Sequence, residues 1–114
     1  MRLLHRLDGK VAIFPMDPLP GHGSAVVEIY TRIYLRRAGL SGTKLRTRAE
    51  LNRALEGLGS PPARLRFEPN DHQTDALVTA AGMRQLALTE PRAFVPEGLT
   101  PHIAQAEGWT FGVL

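Results

Sequence analysis

Ala25-Val26-Val27-Glu28-Ile29-Tyr30 is β-branched and almost continuously apolar. Such a run predicts a strand buried on both faces, as in mixed or parallel sheets with helices packed on them. Upstream, Val11-Ala12-Ile13-Phe14 is a second apolar run, and the strand it predicts over Lys10–Pro15 is stopped by Pro15. Asp17-Pro18-Leu19-Pro20-Gly21-His22-Gly23 joins the two as a loop by composition. Residues 2–7 read as the end of a helix.

Three helices are predicted downstream. The first runs from Thr31 to Ala38, with Gly39 as its stop. The second opens on the capping box Thr47-Arg48-Ala49-Glu50, after which Leu51, Ala54, Leu55 and Leu58 recur at helical spacing. Asp71 to Leu88 is the longest, with Asn70 as N-cap, and its small residues Ala76, Ala80, Ala81 and Gly82 allow close approach to a sheet. Thr100-Pro101 is an N-cap and N1 pair opening a short helix, and Trp109-Thr110-Phe111-Gly112 reads as a final extended segment. The fold class expected is α/β. Two strands alone would be a marginal sheet, so the layer is incomplete.

The 114 residues fit a single domain, and a two-domain enzyme is excluded. A hydrophobic fraction of 43% is too high for a disordered chain. No stretch approaches the ~20 apolar residues of a membrane span, and the first residues lack the apolar core and cleavage site of a signal peptide. With no cysteine, disulfide scaffolds, thiolate zinc sites and cysteine nucleophiles are excluded. The expectation is a soluble cytoplasmic protein. No phosphate loop, dinucleotide glycine fingerprint or nucleophile elbow is present.

Charge is unevenly spread. Residues 30–66 carry nine basic side chains against Glu50 and Glu56, a balance of +7, while residues 67–114 carry two against six carboxylates, −4. A basic middle beside an acidic end suits phosphate-rich ligands held near a metal-binding carboxylate cluster. Arg36, Arg37, Lys44, Arg46 and Arg48 are the candidate nucleic-acid contacts. A solvated helix face is the plainer reading of the same charges.

Asp71 and Asp75 lie four apart on the longest helix, on one side of it, where like charges repel. A divalent cation such as magnesium or manganese would remove that penalty. Asp71 alone is also explained by the helix macrodipole. Glu28 interrupts an apolar strand, and a buried carboxylate needs a metal, a hydrogen bond or an arginine partner. His72 sits one turn before Asp75 and could assist proton transfer or metal binding.

The order Val26-Val27-Glu28-Ile29-Tyr30, then Asp71-His72-Gln73-Thr74-Asp75-Ala76-Leu77-Val78, then Glu107-Gly108-Trp109-Thr110-Phe111-Gly112 resembles the C-terminal part of the domain-of-unknown-function 429 family. That family comprises predicted nucleases of ribonuclease H-like fold. The acidic helix is also similar to the last helix of Holliday-junction resolvases. The resemblance implies a mixed sheet flanked by helices and an acidic cluster holding magnesium or manganese. It makes Glu28 and Asp75 the catalytic pair and Glu28, Asp71 and Asp75 the metal ligands. Proteins of that fold begin with a hairpin bearing an essential aspartate. Here Asp8 stands at a helix end, and Thr31 replaces the proline usual after the strand.

The chain is therefore expected to be the C-terminal half of a metal-dependent nuclease, inactive alone. The expected assembly is a homo-oligomer, or a complex with a partner chain that supplies the missing N-terminal half. The alternative is a non-catalytic nucleic-acid-binding or protein-interaction module that uses the basic segment 30–66.

Overall fold

Of the apolar run at 25–30, only Ala25–Val26 enters a ladder in the computed structural model, which describes residues 2–7, 9–40 and 44–113. This strand, β2, pairs in parallel with β1 (Ala12–Ile13), Ala12 opposite Ala25 and Ile13 opposite Val26. The chain is thus mixed α/β, with a two-stranded parallel sheet. The α-helices are α1 (Arg2–Leu7), α2 (Thr31–Arg37), α3 (Arg48–Gly57), α4 (Asp71–Thr89) and α5 (Pro101–Ala106), with a 310 turn at Pro91–Phe94. Asp8 lies outside the described residues.

The expected strand burial is corrected. Ala25 and Val26 are only half-buried, while Glu28, Ile29 and Tyr30 are exposed. A carboxylate costs free energy only where water is excluded, so the argument that singled out Glu28 loses its ground. Beyond Val26 the backbone has no ladder partner among the described residues, and the run serves instead as the entry to α2, with Tyr30 extended at its N-cap position. Trp109–Gly112 is not a strand either. It ends in a turn, and the Phe111 N–H donates to the Glu28 carbonyl at 2.8 Å.

The chain divides into two compact units, residues 1–29 with 92–114, and residues 30–91. In the first, Phe111 is central. Its ring stacks on Phe94 at 4.7 Å and meets Phe14 edge-on at 5.4 Å. Aromatic pairs in these geometries add about 0.5–1.5 kcal/mol beyond the area they bury. Asp17 folds back to accept the Ile13 N–H at 2.9 Å, closing the turn after β1. Thr100 caps α5 by accepting from the Ile103 N–H, as its sequence predicts.

The second unit is helical. Thr47 caps α3 by accepting from the Glu50 N–H at 3.1 Å, and Asn70 caps α4 in a full capping box with Gln73. Tyr34, Leu51, Leu58, Val78 and Leu86 are each less than 2% exposed and form its core. Burying side chains of this size is worth about 1.5–3 kcal/mol apiece. Thr31 meets Thr79 hydroxyl to hydroxyl at 3.1 Å, and Arg37 reaches Gln85 and Glu90, so α2 and α4 run in the same sense. Of the small residues of α4, Ala81 and Gly82 are buried while Ala76 and Ala80 are exposed. Gly82 lies against Tyr34, and within this unit α4 packs on α2 and α3.

Candidate nucleic-acid interface

Residues 30–91 hold ten basic side chains and six carboxylates, a net +4, whereas the other unit is −1 with four against five. Three of the six acids of the helical unit are paired, which leaves its net charge at +4 and places that excess on fewer groups. Arg37 pairs with Glu90 at 3.4 Å, Lys44 with Asp71 at 3.2 Å and Arg48 with Glu68 at 3.3 Å. Seven cations then remain against three carboxylates, Glu50, Glu56 and Asp75.

The candidate contacts separate accordingly. Arg37 is half-buried and ties the ends of α2 and α4 together through Gln85, Thr89 and Glu90, a structural duty. Arg48 pins an irregular segment to the start of α3. Its backbone N–H donates to the Glu68 carboxylate at 2.6 Å and its guanidinium to the Leu65 carbonyl at 3.1 Å. The N–H is one of the helix-start donors that lack an intrahelical partner, so a carboxylate there meets both a donor and the positive end of the helix. Lys44 and Asp71 form an exposed pair, worth at most about 1 kcal/mol. Arg36 and Arg46 are exposed, with no ion pair among the described residues.

Arg53, Arg64 and Arg66 share that condition. The segment after α3 runs back along it, with the Ala63 N–H held by the Asn52 side chain at 2.8 Å and Leu65 held by Arg48. Along this extended stretch Ala63 and Leu65 are half-buried while Arg64 and Arg66 are exposed. Beside it, Ala49, Asn52, Arg53, Glu56, Ser60 and Pro62 line an open cleft of about 500 Å³. Asn52 is shared between cleft wall and segment, so the Arg53 side of the cleft adjoins the arginine strip. The sequence reading gave Arg53, Arg64 and Arg66 no site role. The two-residue alternation of Ala63-Arg64-Leu65-Arg66 is the signal that identifies Arg64 and Arg66.

The acidic candidates are placed as follows. Glu28 belongs to the first unit, exposed, with its backbone carbonyl taken by Phe111. Asp71, His72 and Asp75 are exposed on the first turns of α4, and the Asp75 carboxylate has no hydrogen bond or ion pair among the described residues. Among the described residues no group of three or more His, Asp or Glu is gathered to hold a metal ion. Asp71 already faces an ammonium, so α4 does not present a prepared two-carboxylate site. Among the described residues no helix is long and apolar enough to cross a membrane. No protein-family profile, curated protein or solved structure matches the chain.

Proposed function

We propose that the helical unit binds nucleic acid through its basic segment without cleaving it. The observation that carries this reading is a set of exposed arginines with no carboxylate partner among the described residues, Arg36, Arg46, Arg53, Arg64 and Arg66 among them. Arginine offers a fixed fork of donors matched to phosphate oxygens, and unpaired guanidinium groups need no internal ion pair broken before they bind. Phosphate neutralisation releases condensed counterions, so affinity of this kind falls steeply with salt.

The hydrolytic reading has less support. It would require magnesium or manganese held by Glu28, Asp71 and Asp75, of which Asp71 is engaged with Lys44. A ribonuclease H-like sheet has the parallel pairing of β1 and β2 in its favour. The test is fluorescence anisotropy with labelled oligonucleotides over a salt series. Replacing Arg64 and Arg66 by serine should weaken binding and flatten the plot of log affinity against log salt by about 0.7–0.9 for each phosphate that is no longer neutralised. Absence of salt-sensitive binding would refute the proposal. Magnesium-dependent cleavage abolished by Asp75→Asn would refute its non-catalytic part.

A further inference from the structure

One side chain beside the arginine strip breaks the pattern that its neighbours follow. Alternation over Ala63-Arg64-Leu65-Arg66 would turn Phe67 inward with Ala63 and Leu65. The chain instead bends at Arg66–Phe67, and the Phe67 ring is 55% exposed. Leaving a phenylalanine in water forgoes the burial free energy that its side chain could gain. The bend is held on both sides, by Leu65 on Arg48 before it, and by Glu68 on the start of α3 and the buried Pro69 after it. The ring is thus presented on an anchored segment.

Two free guanidinium groups precede it. Arg64 and Arg66 are both exposed and alternate with the half-buried Ala63 and Leu65. Tyr30, the other exposed aromatic described in this unit, is 54% exposed and has the Arg32 guanidinium 6.0 Å from its ring centre. Phe67 has no such partner among the described residues.

We propose that Phe67 is a stacking seat for an unpaired base, with Arg64 and Arg66 on the flanking phosphates, so that the ligand of this unit is single-stranded nucleic acid. The inference rests on the nucleic-acid reading above and narrows it. A duplex offers the arginines its phosphates but keeps its bases stacked inside, where an exposed ring cannot lie against a base face. A single strand can turn a base onto the ring while its backbone follows the arginines, and any base serves because every base has a π-face. A second copy of this chain would bring the same free cations against themselves, which disfavours self-association through this patch.

The experiment compares labelled single-stranded and duplex oligonucleotides of about 15 nucleotides, a length that covers one such site. The single strand should bind more tightly. Phe67→Ala should weaken it about 5- to 100-fold, leaving duplex binding and the salt slope unchanged. Phe67→Trp should retain the affinity and Phe67→Leu should lose it, because stacking needs a ring. If Phe67→Leu binds like the parent, the contact is merely apolar and the stacking seat is overturned. Equal binding of both ligands with Phe67→Ala silent overturns it too, while leaving the nucleic-acid reading in place. Failure of both ligands to bind removes both. A parent protein that sediments as a dimer, and that Phe67→Ala makes monomeric, assigns the ring to self-association and overturns the proposal.

Discussion

Replacing Gly82 by alanine sets a local preference against a tertiary constraint. In an exposed helix interior the change should stabilise by about 1 kcal/mol, since glycine loses the most backbone freedom on folding. Gly82 is buried on α4 against Tyr34, and an added Cβ would fall inside contact distance of the Tyr34 Cβ, Cγ and Cδ1 atoms. Tyr34 is 0% exposed, so its ring has no solvent side to swing into. Relief requires α2 to move off α4, which would strain the Thr31–Thr79 and Arg37–Gln85 bonds as well. Overpacking of this kind costs about 1–3 kcal/mol, and overlap with three atoms puts it at the upper end. The net expectation is a loss of about 1–2 kcal/mol. With an m-value of about 1.5 kcal/mol/M, the urea midpoint followed by the helical signal at 222 nm should fall by about 0.7–1.3 M. Ala80→Gly, at an exposed position of the same helix, calibrates the propensity term and should cost about 1 kcal/mol. Combining Gly82→Ala with Tyr34→Leu should restore part of the loss, since the two sites touch. A Gly82→Ala protein that is more stable than its parent would refute the reasoning.

Two further outcomes are expected. Burial raises the Tyr34 hydroxyl pKa above its ordinary 10.0, opposed in part by the nearby Arg37 charge. The unfolded state therefore loses this proton first, so the stabilising contribution is complete below pH 10 and declines as pH rises through the folded-state pKa. Denaturation profiles at pH 9 to 11 should show that decline, and Tyr34→Phe should make it shallower. Asn70→Ala removes the Oδ1 acceptor for the Gln73 N–H and leaves only the reciprocal bond, from the Asn70 backbone N–H to the Gln73 side chain, at the start of α4. It should cost about 1 kcal/mol, read as a lower thermal midpoint, while Asn70→Asp should hold most of the stability.

The helices and their starts are encoded locally. Thr47, Asn70 and Thr100 are legible as caps because a cap is a bond between residues three apart, complete within the segment that encodes it. The spacing of Leu51, Ala54, Leu55 and Leu58 likewise marks one buried stripe without reference to its partner. The basic excess at 30–66 is legible as composition. Which of those charges are free is not, because Glu68, Asp71 and Glu90, far along the chain, neutralise three of them. The length of β2 is a tertiary outcome as well. An apolar run can extend, but a ladder lasts only as far as another strand lies beside it, and here that is two residues. Glu28 is exposed for the same reason. Gly82 reads in sequence as a small residue that lets its helix approach a sheet, and only the folded chain names Tyr34, on a helix, as its neighbour. The exposure of Phe67 is likewise a tertiary outcome, because a bend anchored by Arg48 and Glu68 leaves it in water. Interactions within a turn of helix are written locally. Burial and charge pairing are settled between segments, where chain distance says nothing about distance in space.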